Sequence, residues 1–501
     1  MAADSGRIQA SHAAQVCIIC KARKKKCDKA LPRCGFCARN GIECRYKALP
    51  PRQRNYIAIA QGSSNPSFPS SSSSLYTISP EPAASETTLY LQIHNLIRST
   101  GQFVDDVTAY YFKSVHRYLP FISRTRFQSS LITLGSTPSA EFSALLLSIC
   151  LVTSSPKLTG DVTKTKSLYL AAKSIFAQVQ GPHPPSVCLI QAGLLLALYE
   201  YIARRPDEAF TSIAGCARMA YAARIHVRKP SLPDSPDSTN MKQGTGADVD
   251  LEYEEAANTW WALIICERAF FHELTTPEQP LITRILGGDV ELPTEPAFLE
   301  QSSLGGSEPK SHLTISSLKS AEVGAFGRVA QAAWLHDEIL KASDISSPDS
   351  RLRMLQSLDS DLQALLVAIM QLYDGRGSVL CQTIAATIRS LFTLHWRILD
   401  EPTNNIKDQP AEEWRKRSQI ALGTATKLVL DVAESNCALN PGVYPFSSIS
   451  LGYSYMIQAA LTHIYGKPGW KDDDWLSSAE QQLRSTLSQY NRYWNVETPI
   501  G

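Results

Sequence analysis

The sequence predicts a small cysteine-rich module at the N-terminus, followed by a large all-α body. Three observations support this prediction. Six of the twelve cysteines lie between residues 17 and 44. A Ser- and Pro-rich stretch follows them, and the remaining residues show helical rather than alternating apolar periodicity. Because 501 residues exceed the size of one ordinary core, we expect two or more domains.

Charge is distributed unevenly along the chain. Residues 1–60 contain thirteen Lys and Arg against three acidic residues, whereas the net charge of the whole chain is only +2. A basic segment on an acidic body predicts a polyanionic partner for that segment alone. No apolar stretch has the length of a membrane span, and the N-terminus lacks the apolar region of a secretory signal. We therefore expect a soluble intracellular protein with no membrane partner.

The six clustered cysteines form an internal repeat. Their spacing is Cys17-x₂-Cys20-x₆-Cys27-x₆-Cys34-x₂-Cys37-x₆-Cys44, so that each half supplies three thiolates in the same local geometry. Two zinc ions need eight tetrahedral ligand positions, which six sulfurs fill if two of them bridge both ions. The symmetry of the repeat makes Cys17 and Cys34 the best candidates for the bridges. Three disulfides are the alternative, but they require an oxidising compartment.

Basic residues fill the segment between Cys20 and Cys27. Cations held on a rigid metal scaffold suit phosphate contacts and entry into the major groove. The metal cluster itself is anionic, because six thiolates around two Zn²⁺ leave a charge of −2. The residues that we predict to contact DNA are Lys21, Arg23, Lys24, Lys25 and Lys26.

The segment 17–27 (CIICKARKKKC), the loop LPRC at 31–34 and the ending CRY at 44–46 resemble the fungal Zn₂Cys₆ binuclear-cluster family of transcription factors, and the ligand pattern matches completely. The resemblance implies base-edge contacts from Arg23 and Lys24, with phosphate contacts from Lys21 and Lys26. It also implies recognition of CGG-like triplets in double-stranded DNA. Residues 23–26 fit a nuclear-import signal as well, so we expect the nucleus as the location.

The predicted domains follow from composition. A disordered N-terminus at 1–16 precedes the DNA-binding module at 17–46, and a basic, then Ser/Pro-rich linker occupies 47–88. A helical middle domain is expected at 89–300 and a C-terminal helical part of the same regulatory body at 301–501. Polar loops are expected near 229–250 and 300–311. Helical periodicity is clearest at 186–201, 211–225, 251–274, 321–342, 352–372, 379–399, 412–434 and 448–465.

Three segments of the body resemble the middle homology region of fungal zinc-cluster factors: 111–122 with Phe127 after it, 215–220, and 254–268. The residues AAN at 256–258 replace a basic pair that is often found there, and Glu267 replaces a usual Asp. We interpret Trp260 and Trp261 as core residues. We also interpret Arg218, Glu267 and Arg268 as members of interhelical ion pairs, and His116 and His226 as core or helix-end histidines rather than metal ligands.

Oligomeric state is left open by the sequence. The apolar residues of 89–97 sustain no heptad pattern, so a coiled-coil dimer is not supported. Binding as a monomer and dimerisation through the body both stay possible.

Taken together, these features predict a nuclear, sequence-specific transcription factor for RNA polymerase II genes with two Zn²⁺ ions. Its partners would be DNA and the transcription machinery or co-activators. The family suggests activation and control of a metabolic or secondary-metabolite gene set. A ligand-sensing repressor, or a helical scaffold whose zinc module contacts proteins, is the alternative. No nucleotide-binding or hydrolase motif occurs, and an all-thiolate zinc site has no open coordination position, so we expect no enzyme.

Overall fold

The computed structural model describes two sets of residues. The N-terminal set comprises residues 17, 20, 25–30, 33–40 and 44. The second set comprises 86–132, 137–154, 162–181, 184–227, 246–276, 278–285, 287, 289–297, 313–372, 381–401, 409–438 and 452–493. The chain divides into two compact units, Met1–Ser79 and Pro80–Gly501.

Regular structure in both described sets is helical, apart from isolated bridge residues such as the pair Glu291 and Thr314. The N-terminal unit contains the short helix α1 (Gly35–Arg39). The helices of the second unit are α2 (Glu86–Ser99), α3 (Val104–Lys113), α4 (Val115–Tyr118), α5 (Arg124–Ile132), α6 (Ala140–Thr153), α7 (Val162–Gln180), α8 (Val187–Ile202), α9 (Pro206–Ala222), α10 (Gly246–Phe271), α11 (Ala325–Lys341), α12 (Pro348–Leu372), α13 (Cys381–Asp400), α14 (Gln409–Ala438), α15 (Tyr453–Tyr465) and α16 (Asp474–Tyr493).

The first apolar core is built around α6 and α8, which pack against each other. Both helices are apolar on all sides, and every residue from Phe142 to Thr153 in α6 is buried. A helix that is apolar all round is expected at the centre of a core, because each face must be covered. This core extends from Leu89 in α2 to Ala333 in α11, so α11 closes it from the C-terminal side.

The C-terminal helices form two further cores that meet at α13. One face of α13 contributes Ile388 and Phe392 to a core shared with α14, α15 and α16. Another face contributes Leu391 and Leu394 to a core shared with α11 and α12. Burial of such a side chain contributes about 1.5–3 kcal/mol, so α13 links both cores energetically.

The segment 119–123 is held to α8 and α10 by buried polar side chains. Gln191 Nε2 donates to the Phe121 carbonyl oxygen at 2.9 Å, and Asn258 Nδ2 donates to the Pro120 carbonyl oxygen at 3.2 Å. Glu255 accepts a hydrogen bond from the Ser123 backbone N–H at 2.9 Å. These bonds satisfy backbone groups that burial would otherwise leave unpaired.

A buried ionic network joins α10 to α11. Arg268 donates from Nη2 to Asp337 Oδ1 at 2.8 Å and from Nη1 to Glu267 Oε2 at 2.5 Å. Glu267 also accepts from the backbone N–H of Ile282 at 2.6 Å and of Thr283 at 3.0 Å. The interpretation as an interhelical ion pair is confirmed for Arg268, which pairs with Asp337, whereas Glu267 pairs with Arg268 inside α10.

The same interpretation is wrong for Arg218, which is exposed and has no ion-pair partner among the residues that the structure describes. It lies on the outer face of α9, where water competes with any partner. The tryptophans pack as expected: Trp261 is buried and donates from Nε1 to the Glu291 carbonyl oxygen at 3.1 Å, while Trp260 packs against the first core.

The helical predictions each overlap an observed helix. The loop expected at 229–250 is wrong for residues 246–250, because α10 already begins at Gly246. The rest of that loop and the loop at 300–311 lie outside the described residues.

Three apolar residues of 89–97 face the body itself, whereas Leu91 is exposed. Leu89, Ile93 and Ile97 are buried in the first core, where α2 packs against α6. The isolated cysteines Cys150, Cys216 and Cys266 are also buried, and burial raises their thiol pKa values, to about 11 for Cys150.

None of the described helices combines the length and the apolar character needed to cross a membrane.

Candidate metal centre and nucleic-acid interface

All six clustered cysteines lie within the described residues, and their sulfur atoms form two groups of four. Within each group the sulfur atoms lie within 4.8 Å of one another. Cys17 and Cys34 belong to both groups, as the repeat predicts for the bridging positions. The first group is completed by Cys20 and Cys27, and the second by Cys37 and Cys44.

The sulfur–sulfur distances fit tetrahedral zinc. Cys17 Sγ lies 3.7 Å from the sulfur atoms of Cys34 and Cys37, and Cys20 Sγ lies 3.7 Å from that of Cys34. A Zn–S bond of about 2.3 Å gives a tetrahedral edge of about 3.8 Å. A disulfide would bring two sulfurs to about 2.05 Å. The spacing therefore suits four thiolates around one ion and excludes a disulfide between these pairs.

The two halves of the repeat have matching local geometry. The Cys20 backbone N–H donates to Cys17 Sγ at 3.4 Å, and the Cys37 backbone N–H donates to Cys34 Sγ at 3.5 Å. The x₂ spacing produces this turn in both halves, because it brings the backbone N–H of the second cysteine of each pair towards the sulfur of the first cysteine. Each hydrogen bond stabilises negative charge on a sulfur atom that both groups share.

Burial and the neighbouring thiols make Cys20 and Cys37 poor acids by themselves. Burial raises the pKa of Cys37 to about 12 and raises the pKa of Cys20 further. Without a cation these buried thiols would hold their protons at neutral pH. Zn²⁺ supplies the charge that keeps a coordinating thiol deprotonated, so the donor set fits the metal.

Asp28 connects the first half of the module to the second. Its carboxylate accepts hydrogen bonds from the Gly35 backbone N–H at 2.9 Å to both oxygens. A Cβ atom at Gly35 would lie 2.5 Å from Asp28 Oδ2, so only glycine permits this approach. Cys34 precedes Gly35 and is the N-cap of α1, and its sulfur accepts from the Cys37 backbone N–H. Asp28 thereby fixes the backbone that carries a shared sulfur.

Sequence reasoning missed Asp28 and Gly35. Each directly follows a cysteine of the repeat, Cys27 and Cys34, and this adjacency was the one available signal. Adjacency alone does not show that the two residues meet, since they lie seven positions apart.

The structure describes two of the five predicted DNA-contacting residues. Lys25 and Lys26 are exposed, as contact with a phosphate backbone requires. Lys21, Arg23 and Lys24 lie outside the described residues. Arg33 and Arg39 are exposed in the second half, and Arg39 Nε donates to the Gly35 carbonyl oxygen at 3.2 Å.

The histidines of the body form no comparable centre. Among the residues that the structure describes, only the clustered cysteines bring three or more metal-ligating groups together. His116 is buried against Phe112, and burial lowers its pKa to about 3. His226 packs against Tyr221 at the end of α9. Sequence reasoning missed His272 and His336, whose Nε2 atoms face each other between α10 and α11.

Comparison with known proteins gives two domain matches. Residues 15–53 match the fungal Zn(2)-Cys(6) binuclear cluster domain, and residues 108–271 match the fungal specific transcription factor domain. All three segments that resemble the middle homology region lie within the second range. The metal centre and the helical body thus define a class: a zinc-dependent DNA-binding regulator of transcription. Residues 15–53 and 108–271 thus match the two domains of the fungal Zn₂Cys₆ binuclear-cluster transcription factors, a non-enzyme family whose cluster binds two zinc ions.

Two curated proteins are similar to parts of the chain. Transcription factor BOA15 of Botryotinia fuckeliana (strain B05.10) is 28% identical over 123 residues, which are 25% of this chain and 68% of that protein. The notoamide biosynthesis cluster transcriptional coactivator notQ' of Aspergillus versicolor is 48% identical over 36 residues, or 7% of each chain. No solved structure matches the chain.

Proposed function

We propose that this transcription factor acts in the nucleus, reads CGG-like triplets in double-stranded DNA and activates RNA polymerase II genes. One observation carries the proposal: two tetrahedral sulfur groups share Cys17 and Cys34 next to a run of basic residues, of which Lys25 and Lys26 are exposed. A rigid metal scaffold beside a basic segment suits recognition of a polyanion.

In this proposal each sulfur has a defined role. Cys17 and Cys34 bridge both zinc ions, Cys20 and Cys27 complete the first tetrahedron, and the second is completed by Cys37 and Cys44. All coordination positions are then filled by thiolates, so the zinc ions have a structural role. They fix the chain on either side of the basic run.

The basic run divides into base and phosphate contacts. Arg23 and Lys24 donate to guanine O6 and N7 in the major groove, which is the usual chemistry for G recognition by cations. Lys21, Lys25 and Lys26 neutralise phosphates and set the register on the duplex. The same run serves as a nuclear-import signal.

A DNA-binding titration tests base recognition directly. The full chain, loaded with zinc, is titrated in a gel shift against a duplex that contains CGG triplets and against a scrambled duplex of equal composition. Arg23→Ala and Lys24→Ala should each weaken binding to the CGG duplex roughly 5- to 150-fold, as expected for 1–3 kcal/mol, with less preference between the duplexes. The matched control is Lys416→Ala, which removes an exposed cation of α14 and should change nothing.

A helical scaffold that uses the zinc module for protein contacts would give the opposite result. It predicts equal binding of both duplexes and no loss with Arg23→Ala. Either finding would refute the DNA-reading proposal.

The similarity to the notoamide cluster coactivator supports control of a biosynthetic gene cluster. Chromatin occupancy of the tagged chain, beside Cys34→Ala, tests this idea. Peaks at CGG-like triplets upstream of one gene neighbourhood, lost in Cys34→Ala, are the expected result. Transcripts of those genes should fall when the factor is deleted, whereas a repressor would raise them.

A further inference from the structure

The sulfur atoms of the metal centre differ in how many zinc ions depend on them. Cys17 and Cys34 belong to both sulfur groups, whereas Cys20 and Cys27 belong to the first group alone. We call Cys20 and Cys27 the terminal pair. Loss of a shared sulfur breaks both zinc tetrahedra. Loss of the terminal pair breaks only the first tetrahedron, because the second keeps all four of its thiolates.

Cys27 is the member of the first sulfur group that a small oxidant can reach. It is partly exposed, whereas the other three members of the group are buried. Its chain neighbours Lys26 and Asp28 are exposed on either side of it. Oxidation of a cysteine requires thiolate character and access. A zinc-bound sulfur is a thiolate, so Cys27 meets both requirements.

The chain folds back on itself between the two members of the terminal pair. The Lys25 backbone N–H donates to the Cys20 carbonyl oxygen at 2.9 Å. The sulfur atoms of Cys20 and Cys27 lie within 4.8 Å of each other. A disulfide has a sulfur–sulfur distance of about 2.05 Å, so an approach of less than about 3 Å forms the bond.

A single disulfide within the first group can leave the second tetrahedron complete. A bond to Cys17 or Cys34 removes a shared thiolate, which leaves the second zinc ion with three protein ligands. A bond between Cys20 and Cys27 uses neither shared sulfur, so the second group keeps its four thiolates. A structural zinc site is closed by four protein ligands. Coordination of the second ion therefore favours a disulfide of the terminal pair.

We propose that Cys20 and Cys27 are a site of reversible oxidation, at which a peroxide joins them in a disulfide and one of the two zinc ions is released. The Cys27 thiolate attacks one oxygen of hydrogen peroxide, the O–O bond breaks, and a sulfenic acid and a hydroxide ion form. The Cys20 thiolate then attacks the sulfenic sulfur, forms the S–S bond and displaces a second hydroxide ion.

The electrons and charges of this reaction balance. The two sulfur atoms together lose two electrons, and the peroxide gains two and yields two hydroxide ions, which the buffer neutralises to water. The first tetrahedron keeps only the shared sulfurs Cys17 and Cys34, which stay with the second ion. Zn²⁺ leaves without a change in its oxidation state. A dithiol reverses the reaction by thiol–disulfide exchange, after which the first tetrahedron can bind zinc again.

The disulfide would close the basic run into a loop. Cys20 and Cys27 flank residues 21–26, so their bond replaces the metal geometry at both ends of the predicted DNA-contacting segment. The oxidised chain should therefore lose its preference for the CGG duplex and regain it after treatment with a dithiol and Zn²⁺. This consequence rests on the proposed function, whereas the oxidation itself does not.

Limiting hydrogen peroxide tests the site in the zinc-loaded full chain. A chromogenic chelator records the released zinc, and peptide mapping after alkylation of free thiols identifies the disulfide. We expect release to pause at one zinc ion per chain, with Cys20 joined to Cys27. The buried cysteines of the body should stay reduced and serve as the internal control. They are Cys150, Cys216 and Cys266.

Two histidine substitutions separate the halves of the module. Cys27→His keeps a zinc ligand, because imidazole coordinates zinc as a thiolate does, but it cannot form a disulfide. It should bind two zinc ions and lose the first phase of zinc release. Cys44→His makes the same change at the partly exposed cysteine of the second group, and it should keep the release seen in wild type.

Four results would overturn the oxidation site. They are the absence of any disulfide, simultaneous release of both zinc ions, a disulfide that includes a shared cysteine, and a disulfide of the second group while the terminal pair stays reduced. The wild-type map decides the question by itself if Cys27→His fails to bind two zinc ions. A reduced chain without preference for the CGG duplex would instead refute the DNA-reading proposal and leave the oxidation site standing.

Discussion

Replacement of Arg268 by methionine tests the buried network between α10 and α11. The substitution keeps much of the volume of the side chain but removes its charge and hydrogen bonds. Breaking a buried ion pair costs about 3–5 kcal/mol, because the remaining charge is left without a partner. Here Glu267 keeps two backbone N–H donors, and Asp337 keeps Lys341 Nζ at 2.8 Å. We therefore expect the lower end of the range, about 3 kcal/mol.

Urea unfolding followed by circular dichroism measures this loss. The matched control is Arg417→Met, which breaks an ion pair with Glu413 of 2.6 Å on the surface of α14, where both side chains are about 60% exposed. Surface pairs contribute about 0–1 kcal/mol, so the control should barely shift the midpoint. A midpoint for Arg268→Met equal to that of Arg417→Met would show that the network contributes no net stability.

Three smaller perturbations test other parts of the chain. Gly35→Ala places a Cβ atom 2.5 Å from Asp28 Oδ2, so zinc affinity measured by chelator competition should fall at least about 10-fold, and unchanged affinity would contradict the role of Asp28. His116 has a pKa of about 3 in the folded chain, so the unfolded chain takes up its proton first as pH falls below about 6.5. The free energy of unfolding of wild type should thus drop about 1 kcal/mol more than that of His116→Leu between pH 6.5 and 5.5, and parallel pH profiles would exclude this. Arg224 has a left-handed φ of 58°, and Arg224→Gly should raise stability by about 1 kcal/mol, whereas Arg204→Gly, at a φ of 59°, should lose its ion pair with Glu273 and gain nothing in a thermal melt.

The metal centre was predictable because its information is local. The repeat of Cys17, Cys20 and Cys27 at positions seventeen residues later fixes both the number of ligands and the equivalence of the halves. Counting coordination positions then selects two bridges, and both sulfur groups share Cys17 and Cys34. Helix positions were also predictable, since amphipathic helices such as α13 carry a periodic signal.

The polar contacts of the body were not predictable in the same way. Asp337 accepts a hydrogen bond from Arg268, which lies in another helix. Glu295 accepts a hydrogen bond of 2.8 Å from the backbone N–H of Gly327, which lies thirty-two positions later in the sequence. Each partner is defined only once the helices are packed, so no spacing in the sequence reveals it. The buried Arg389 of α13 is a similar case, because a single arginine in a helical pattern reads as an ordinary surface cation.

The extent of the first core has a consequence for anyone who wishes to express the middle region separately. Ile315, Val323, Phe326 and Val329 belong to that core although they follow the matched transcription factor domain by more than forty residues. A fragment cut near residue 300 would expose the apolar surface that these residues cover, and such fragments tend to self-associate. A usable truncation must retain the whole of α11, through Lys341.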